Sequence, residues 1–353
     1  MPKIAHVSRF KSSEFCDQTW AICEACGCIQ LISLIELEEL YATPHNSVAE
    51  HWNRHNELFS DYVVRHGATK ILEIGGGNLS IASIVAKNEK TVKYKIYDTN
   101  FDKAVSASDT LEFEESFFIP EKTNESDESF NAVVLSHTFE HLYNPVDYLK
   151  EFQRVLSNRG KLILSVPNTI EGLKRKFTNM LNFEHTYSLD KENVNFMMEK
   201  TGFKLIDLTV YSDYNFFVVY EKTDGASDVR PLRNRYVRNK RIFDEYVDYH
   251  KKNILYLNKE IEKNENSDVY LFGSGPFSQF LIYMGLDVKR ITGVLDENVS
   301  QHSYKLYGTD LPIHDPKAIK ELKNPRVIVQ AGAYTEEIMG RLSKINANVK
   351  IIK

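Results

Sequence analysis

The chain has 353 residues, too long for one ordinary domain and suited to two or three. Its four cysteines, Cys16, Cys23, Cys26 and Cys28, all fall within the first 28 residues, and 42% hydrophobic content over the whole length can bury a core without disulfide staples, so a disulfide scaffold is excluded for the bulk of the chain. A net charge of −5 offers no general attraction to phosphate backbones, which argues against a nucleic-acid partner. The opening MPKIAHVSRFK has no secretory apolar core, and no stretch approaches the roughly 18 apolar residues of a membrane helix. The expectation is a soluble, cytoplasmic protein with no membrane partner.

In chain order, residues 1–62 form a small cysteine-containing unit whose end, in NSVAEHWNRHNELFSDYVV, is helical in pattern. From Lys70, short β-rich runs alternate with helical or polar segments: KILEI, KYKIYD, ESFFI, NAVVLS and GKLILSV. That alternation predicts a parallel, doubly wound α/β sheet over residues 63–222. A helix from Asp190 to Lys200 stops at Thr201-Gly202-Phe203, and two further runs, KLIDLTV and NFFVVYE, are too close together for a crossover helix. They therefore pair antiparallel and finish the sheet with a hairpin. Residues 223–265 are charge-rich, with Phe243, Tyr246, Ile254, Leu257 and Ile261 at helical spacing, and read as a loop and then a solvated connecting helix. A second α/β unit, half of a dinucleotide-type fold, fills residues 266–353 through DVYLFGSG, PFSQFLIYMG, ITGVLDE and RVIVQAG.

The chemistry concentrates where the first strand turns into its helix. Gly75, Gly76 and Gly77 allow left-handed backbone and the close approach of a ligand at a helix N-terminus. Glu73 precedes them with E-x-G-x-G spacing, and Asp98 ends the next strand 21 residues after Gly77, where an acid accepts from both hydroxyls of a ribose. Two acids this near the loop disfavour a diphosphate and suit S-adenosylmethionine (SAM), which is cationic and carries no phosphate.

LEIGGGNLSIA, YDTN and FNAVVLSHTFEHLYNPVDYLKEFQRVLSNRGKLILSVPN together resemble the cofactor motifs of class I SAM-dependent methyltransferases over about Lys70 to Glu221, although Leu79 stands where a third glycine is common. The resemblance implies that Glu73, Gly75, Gly76 and Gly77 line the methionine end, that Asp98 binds the ribose, and that Ser136 and His137 lie near the methyl. A methyltransferase must supply a deprotonated, in-line nucleophile. Of the histidines, His141 reads as a packed helix-start residue, His137 as packing on the cofactor, and Glu184-His185 as the sharper candidate, in the non-periodic segment NMLNFEHTYSLD after the fifth strand. Glu184 can orient the His185 imidazole; because adjacent residues of an extended chain point oppositely, it can instead contact substrate.

Taken over nearly its whole length, the chain resembles the three-domain sugar C-methyltransferases, with a zinc-type N-terminal domain, a methyltransferase core and a C-terminal Rossmann-like domain. That resemblance implies methylation of a nucleotide-activated sugar or related carbohydrate on carbon or oxygen, with His185 and Glu184 as the base pair. It also implies that Tyr187 stands near substrate and that Tyr41 and Ser47 close the cofactor site. Thr43-Pro44-His45-Asn46 departs from the family beside Tyr41 and loosens that match, and Ser212-Asp213-Tyr214-Asn215-Phe216 departs after the sixth strand and leaves the acceptor open, an N-methylated one included.

Gly273, Gly275 and Asp296 can be read as a nicotinamide site, as part of a substrate-phosphate site, or as a plain turn; Pro276 and Ser278 weigh against the first. A nicotinamide-dependent oxidoreductase and a non-catalytic SAM-binding scaffold are the alternatives to a methyltransferase. Cys23-x-x-Cys26-Gly-Cys28 is one knuckle of a ribbon-type zinc site, and Cys16 or His6 would have to complete it; a metal-free remnant is the other reading.

Overall fold

The computed structural model describes residues 7–8, 18–41, 50–100, 110–212, 214–225, 229, 231–263 and 267–353. Seven strands form the larger sheet: β1 (Lys70–Ile74), β2 (Lys93–Asp98), β3 (Leu111–Glu115), β4 (Phe130–Ser136), β5 (Leu156–Pro167), β6 (Phe203–Ser212) and β7 (Asn215–Lys222). Their order is β3-β2-β1-β4-β5-β7-β6, and β7 alone runs opposite in direction to the other six. The mixed sheet and terminal hairpin are those the strand spacing predicts. The central strands are apolar on both faces because helices cover both. Leu72, Val133, Leu135, Leu162 and Leu164 pack into one cluster, and Ile71, Ala132, Val134 and Ile163 pack into the other.

The third strand lies earlier than its expected position at ESFFI. At the edge of the sheet, LEFEE buries only Leu111 fully, and the more apolar run behind it leaves the sheet. Phe118 then packs on Tyr97 with ring centroids 5.1 Å apart, and Phe117 turns toward the cavity described below.

The long helix Tyr236–Glu262 is not the solvated connector that its charges suggest. Asn239, Ile242, Tyr246, His250, Ile254, Leu257 and Ile261 are buried along one stripe. Ile242 and Tyr246 join a cluster with Ile29, Leu31, Ile170 and Met180, whereas Ile254, Leu257 and Ile261 join the core of the C-terminal sheet. That second sheet is parallel, with five strands in the spatial order Ile313–His314, Gly293–Leu295, Val269–Phe272, Arg326–Ile328 and Lys350–Ile352. Arg326, buried beneath it, pairs with Glu260 of the long helix at 3.1 Å. No helix among the described residues is long and apolar enough to cross a membrane.

The cysteine turn docks on the same helix. Gly27 N–H donates to the Cys23 carbonyl at 2.7 Å, and Asn239 Nδ2 donates to the Gly27 carbonyl at 2.8 Å. A Cβ on Gly27 would lie 2.6 Å from the Arg235 carbonyl carbon, so this contact requires glycine. Backbone amides turned toward Cys23 hold its thiol below the usual range. Cys28 faces the other way, its Sγ 3.6 Å from the Ser188 carbonyl oxygen, and burial pushes its thiol up to about 12. Cys16 and His6 lie outside the described residues.

Candidate active site

The glycine loop follows β1. Gly75 and Gly77 have φ of +77° and +50°, and Leu79, at +59°, leads into the helix Ser80–Val85. A Cβ on Gly75 would stand 2.3 Å from Thr138 Oγ1 and one on Gly76 2.4 Å from Ile96 Cγ2. The loop therefore has no room for side chains and presents bare backbone to its ligand. Asp98, at the end of β2, accepts from Gly77 N–H and Asn100 N–H, both at 2.8 Å; burial still outweighs these bonds and raises its pKa. Glu73 is buried and accepts from Tyr94 Oη at 2.9 Å, and burial pushes its carboxyl up to about 7. A cation brought to Glu73 would return it to the charged form. Side-chain-free backbone, a ribose-height acid and a buried carboxyl fit SAM.

Two cavities open on this loop. The first, of about 230 Å³, runs past Asp98, Asn100, Phe117, Phe118 and Tyr41. The second, of about 430 Å³, runs from Glu73 and the glycines past Glu140, Asn182 and His185 to Tyr214, Asn215, Phe277 and Tyr334. Gly75, Gly77, Ser136, His137, His141 and Glu184 line both, so they mark the passage between the two.

The turn after β4 supplies most of the ionisable groups there. His137 has φ of +51° and lies with Nδ1 3.3 Å from Glu140 Oε1. The short 3₁₀ turn Phe139–His141 puts Glu140 underneath and His141 at the passage. Glu140 is wholly buried; burial opposes its ionisation, but the bond to His137 and the surrounding imidazoles keep its carboxyl below the usual range. His141 Nδ1 shares a 2.7 Å hydrogen bond with Tyr41 Oη and lies 3.5 Å from Glu184 Oε2. Burial holds the Tyr41 phenol well above its usual pKa, and the nearby Glu184 charge acts in the same direction.

Glu184 and His185 do not point oppositely as in an extended chain. Asn182 Oδ1 accepts from both of their backbone amides, at 2.8 and 3.0 Å, and this turn brings both side chains to the second cavity. Glu184 faces His141, however, while His185 sits with His141 and Glu140: one ring nitrogen of each and a carboxylate oxygen all lie within 4.8 Å of one another. Burial, reinforced by His141, pushes His185 down to about 4, so the imidazole is neutral near pH 7.

Tyr187 turns into the core: its hydroxyl donates to the Phe139 carbonyl at 2.7 Å, and it lines neither cavity. In the C-terminal loop Asp296 Oδ2 accepts from Ser274 N–H and Oγ at 2.7 and 2.6 Å. The amide between Gly273 and Gly275 is thus committed to a carboxylate, and neither glycine lines the second cavity, which Pro276 and Phe277 reach instead. The phosphate reading of that loop has lost its central donor. Ser47 lies outside the described residues. The reading of the chain as sequence missed Glu140 as a chemical group and treated His141 as packing. The H-x-x-E-H spacing from His137 to His141 was the available signal, since a tight turn places its first and fourth residues side by side.

A family model described as a methyltransferase domain matches residues 36–208, and another described as a C-methyltransferase C-terminal domain matches residues 234–352. No curated protein matches the sequence. Among solved structures, the chain is similar to the cyclase SpnF, at 14% identity and a TM-score of 0.42, over 52% of this chain and 85% of that one. It is also similar to the 1,6-didemethyltoxoflavin N1-methyltransferase of Burkholderia thailandensis, at 11% identity and 0.38, over 50% and 82%. A SAM-dependent methyltransferase of Aquifex aeolicus gives 16% identity and 0.37, over 50% of this chain and 100% of its own. The two family matches run through the sheet that carries the glycine loop and through the unit that closes the second cavity, and the chain is a class I SAM-dependent methyltransferase.

Proposed function

We propose that the protein methylates a carbon or oxygen of a nucleotide-linked sugar or a related carbohydrate, with the cofactor's adenosine in the first cavity and the acceptor in the second. The observation that carries this reading is the shared wall: Ser136, His137, His141 and Glu184 line both cavities, so a methyl at the passage faces the acceptor space directly. Asn179 and Asn215 offer amides, and Tyr214, Phe277 and Tyr334 offer ring faces, which suits a hydroxyl-rich ring better than an apolar acceptor. The C-methyltransferase C-terminal match favours carbon as the acceptor atom. Glu73 takes the methionine ammonium, Gly75, Gly76 and Gly77 the backbone of the methionyl end, and Asp98 the ribose.

SAM, when bound, supplies a methyl whose bond to sulfur breaks as the bond to the acceptor forms, the electron pair remaining on sulfur. The protein's part is to align the acceptor and take its proton. His185, neutral at working pH and on the acceptor side, receives that proton on Nε2. His141, held by Tyr41 and Glu184, orients the acceptor at the passage.

Mass spectrometry of products from a panel of nucleotide sugars incubated with SAM tests the acceptor class. A panel that yields no methylated product, with an enzyme that binds S-adenosylhomocysteine in calorimetry, removes the carbohydrate reading. His185→Ala is expected to lower kcat about 10²–10⁴-fold with S-adenosylhomocysteine affinity within about threefold of wild type. Because a base must be neutral, wild-type turnover stays level from neutral pH downward and falls only as pH approaches about 4. Full turnover in His185→Ala would remove the base assignment.

A further inference from the structure

Two buried atoms in the site have no hydrogen-bond partner: Glu140 Oε2 and His185 Nδ1. Each atom is closed off from water; the side chains come from segments 45 positions apart in sequence, and a carboxylate oxygen of one lies within 4.8 Å of a ring nitrogen of the other. Burying a carboxylate oxygen without a donor is costly, so such an atom is retained where a donor arrives during function. Glu140 Oε1 already faces His137, which leaves Oε2 as the open acceptor.

We infer that Glu140, not its sequence-adjacent counterpart Glu184, is the positioning carboxylate of His185. This rests on the reading of His185 as the base. His185 carries its resting proton on Nδ1; when the acceptor's proton arrives on Nε2, the Nδ1–H donates to Glu140 Oε2, and the imidazolium forms beside a fixed negative charge. Glu140 gains no proton, and the single proton that moves goes from acceptor to Nε2. Glu184 is occupied elsewhere, 3.5 Å from His141. The groups that face His185 are His137, Glu140 and His141 from the turn after β4, and Glu184 from its own loop. Glu140, His141 and His185 also have the composition of a cation site, a reading that the metal content of the purified enzyme tests.

The test compares Glu140→Gln, Glu140→Asp and Glu184→Gln in the full-length enzyme. Glu140→Gln is expected to lower kcat about 10²-fold, with acceptor KM and S-adenosylhomocysteine affinity within about threefold of wild type. The ¹⁵N titration midpoint of His185 in the S-adenosylhomocysteine complex moves to lower pH, because removing the negative charge disfavours the imidazolium. Glu140→Asp recovers part of the rate, and Glu184→Gln leaves the midpoint in place. A rate loss in Glu140→Gln with an unmoved midpoint, or a midpoint that moves more in Glu184→Gln, overturns the proposal. So does one equivalent of a divalent metal in the purified enzyme that Glu140→Gln loses. Should Glu140→Gln not fold, the wild-type tautomer decides: a resting proton on Nδ1 supports the pairing, and one on Nε2 overturns it. Full turnover in His185→Ala fails the base reading itself, whereas an inactive His185→Ala beside an unaffected Glu140→Gln fails only the positioning role.

Discussion

Gly75 carries two constraints at once: φ of +77°, which an L side chain rarely adopts, and Thr138 Oγ1 only 2.3 Å from where a Cβ would lie. Gly75→Ala is therefore expected to cost about 1–3 kcal/mol of stability, seen in thermal unfolding, and to weaken S-adenosylhomocysteine binding about tenfold or more in calorimetry. Unchanged affinity would show that the loop backbone does not touch the cofactor. This part of the site was legible in the sequence because its chemistry is local: the glycines, Glu73 and Asp98 sit at the ends of two adjacent strands, so spacing alone brings them together. The grouping of Glu140, His141 and His185 was not, since it joins a 3₁₀ turn to a distant loop whose direction is set by the Asn182 side chain. The rule that neighbours in an extended chain diverge holds only for extended chain, and residues 182–185 turn.

At the scale of elements, the long helix shows how charge can conceal burial. Arg, Lys, Asp and Glu dominate Tyr236–Glu262, yet every third or fourth residue from Asn239 to Ile261 faces a core. Long charged side chains occupy the remaining surface and leave the stripe intact, so composition suggests a solvated rod while spacing gives the packing face. Ile254 is 4% exposed and Val237 on the same helix 81%. Ile254→Ala is expected to destabilise the protein by about 2–4 kcal/mol and Val237→Ala by about 0.5 kcal/mol or less in denaturant unfolding. Equal effects would mean that the stripe does not anchor the C-terminal sheet. The third strand was misplaced for a related reason: an edge strand buries one face at most, so its sequence is less apolar than the loop behind it, which packs over the end of the sheet.

At the scale of the whole molecule, the second cavity exists because two units meet across it. Thr178 Oγ1 donates to the Gln330 carbonyl at 2.8 Å, Tyr214 Oη to Tyr334 Oη at 3.1 Å, and the Phe177 and Tyr214 rings meet edge to face at 5.1 Å beside Gly332. These contacts fix the far wall, to which the C-terminal unit contributes Phe277. If the acceptor occupies this space and the cofactor the other, a change at Phe277 should separate the two affinities. Phe277→Ala is expected to raise acceptor KM about tenfold, the effect of removing an apolar contact of roughly 1.4 kcal/mol, with kcat and S-adenosylhomocysteine affinity near wild type. Steady-state kinetics beside calorimetry reads both. A parallel loss of both affinities would indicate that the substitution loosens the junction between the units, and an unchanged KM would move the acceptor away from the C-terminal wall. Tyr334→Phe separates these cases further, because it removes the hydroxyl bond across the junction while keeping the ring face offered to the acceptor.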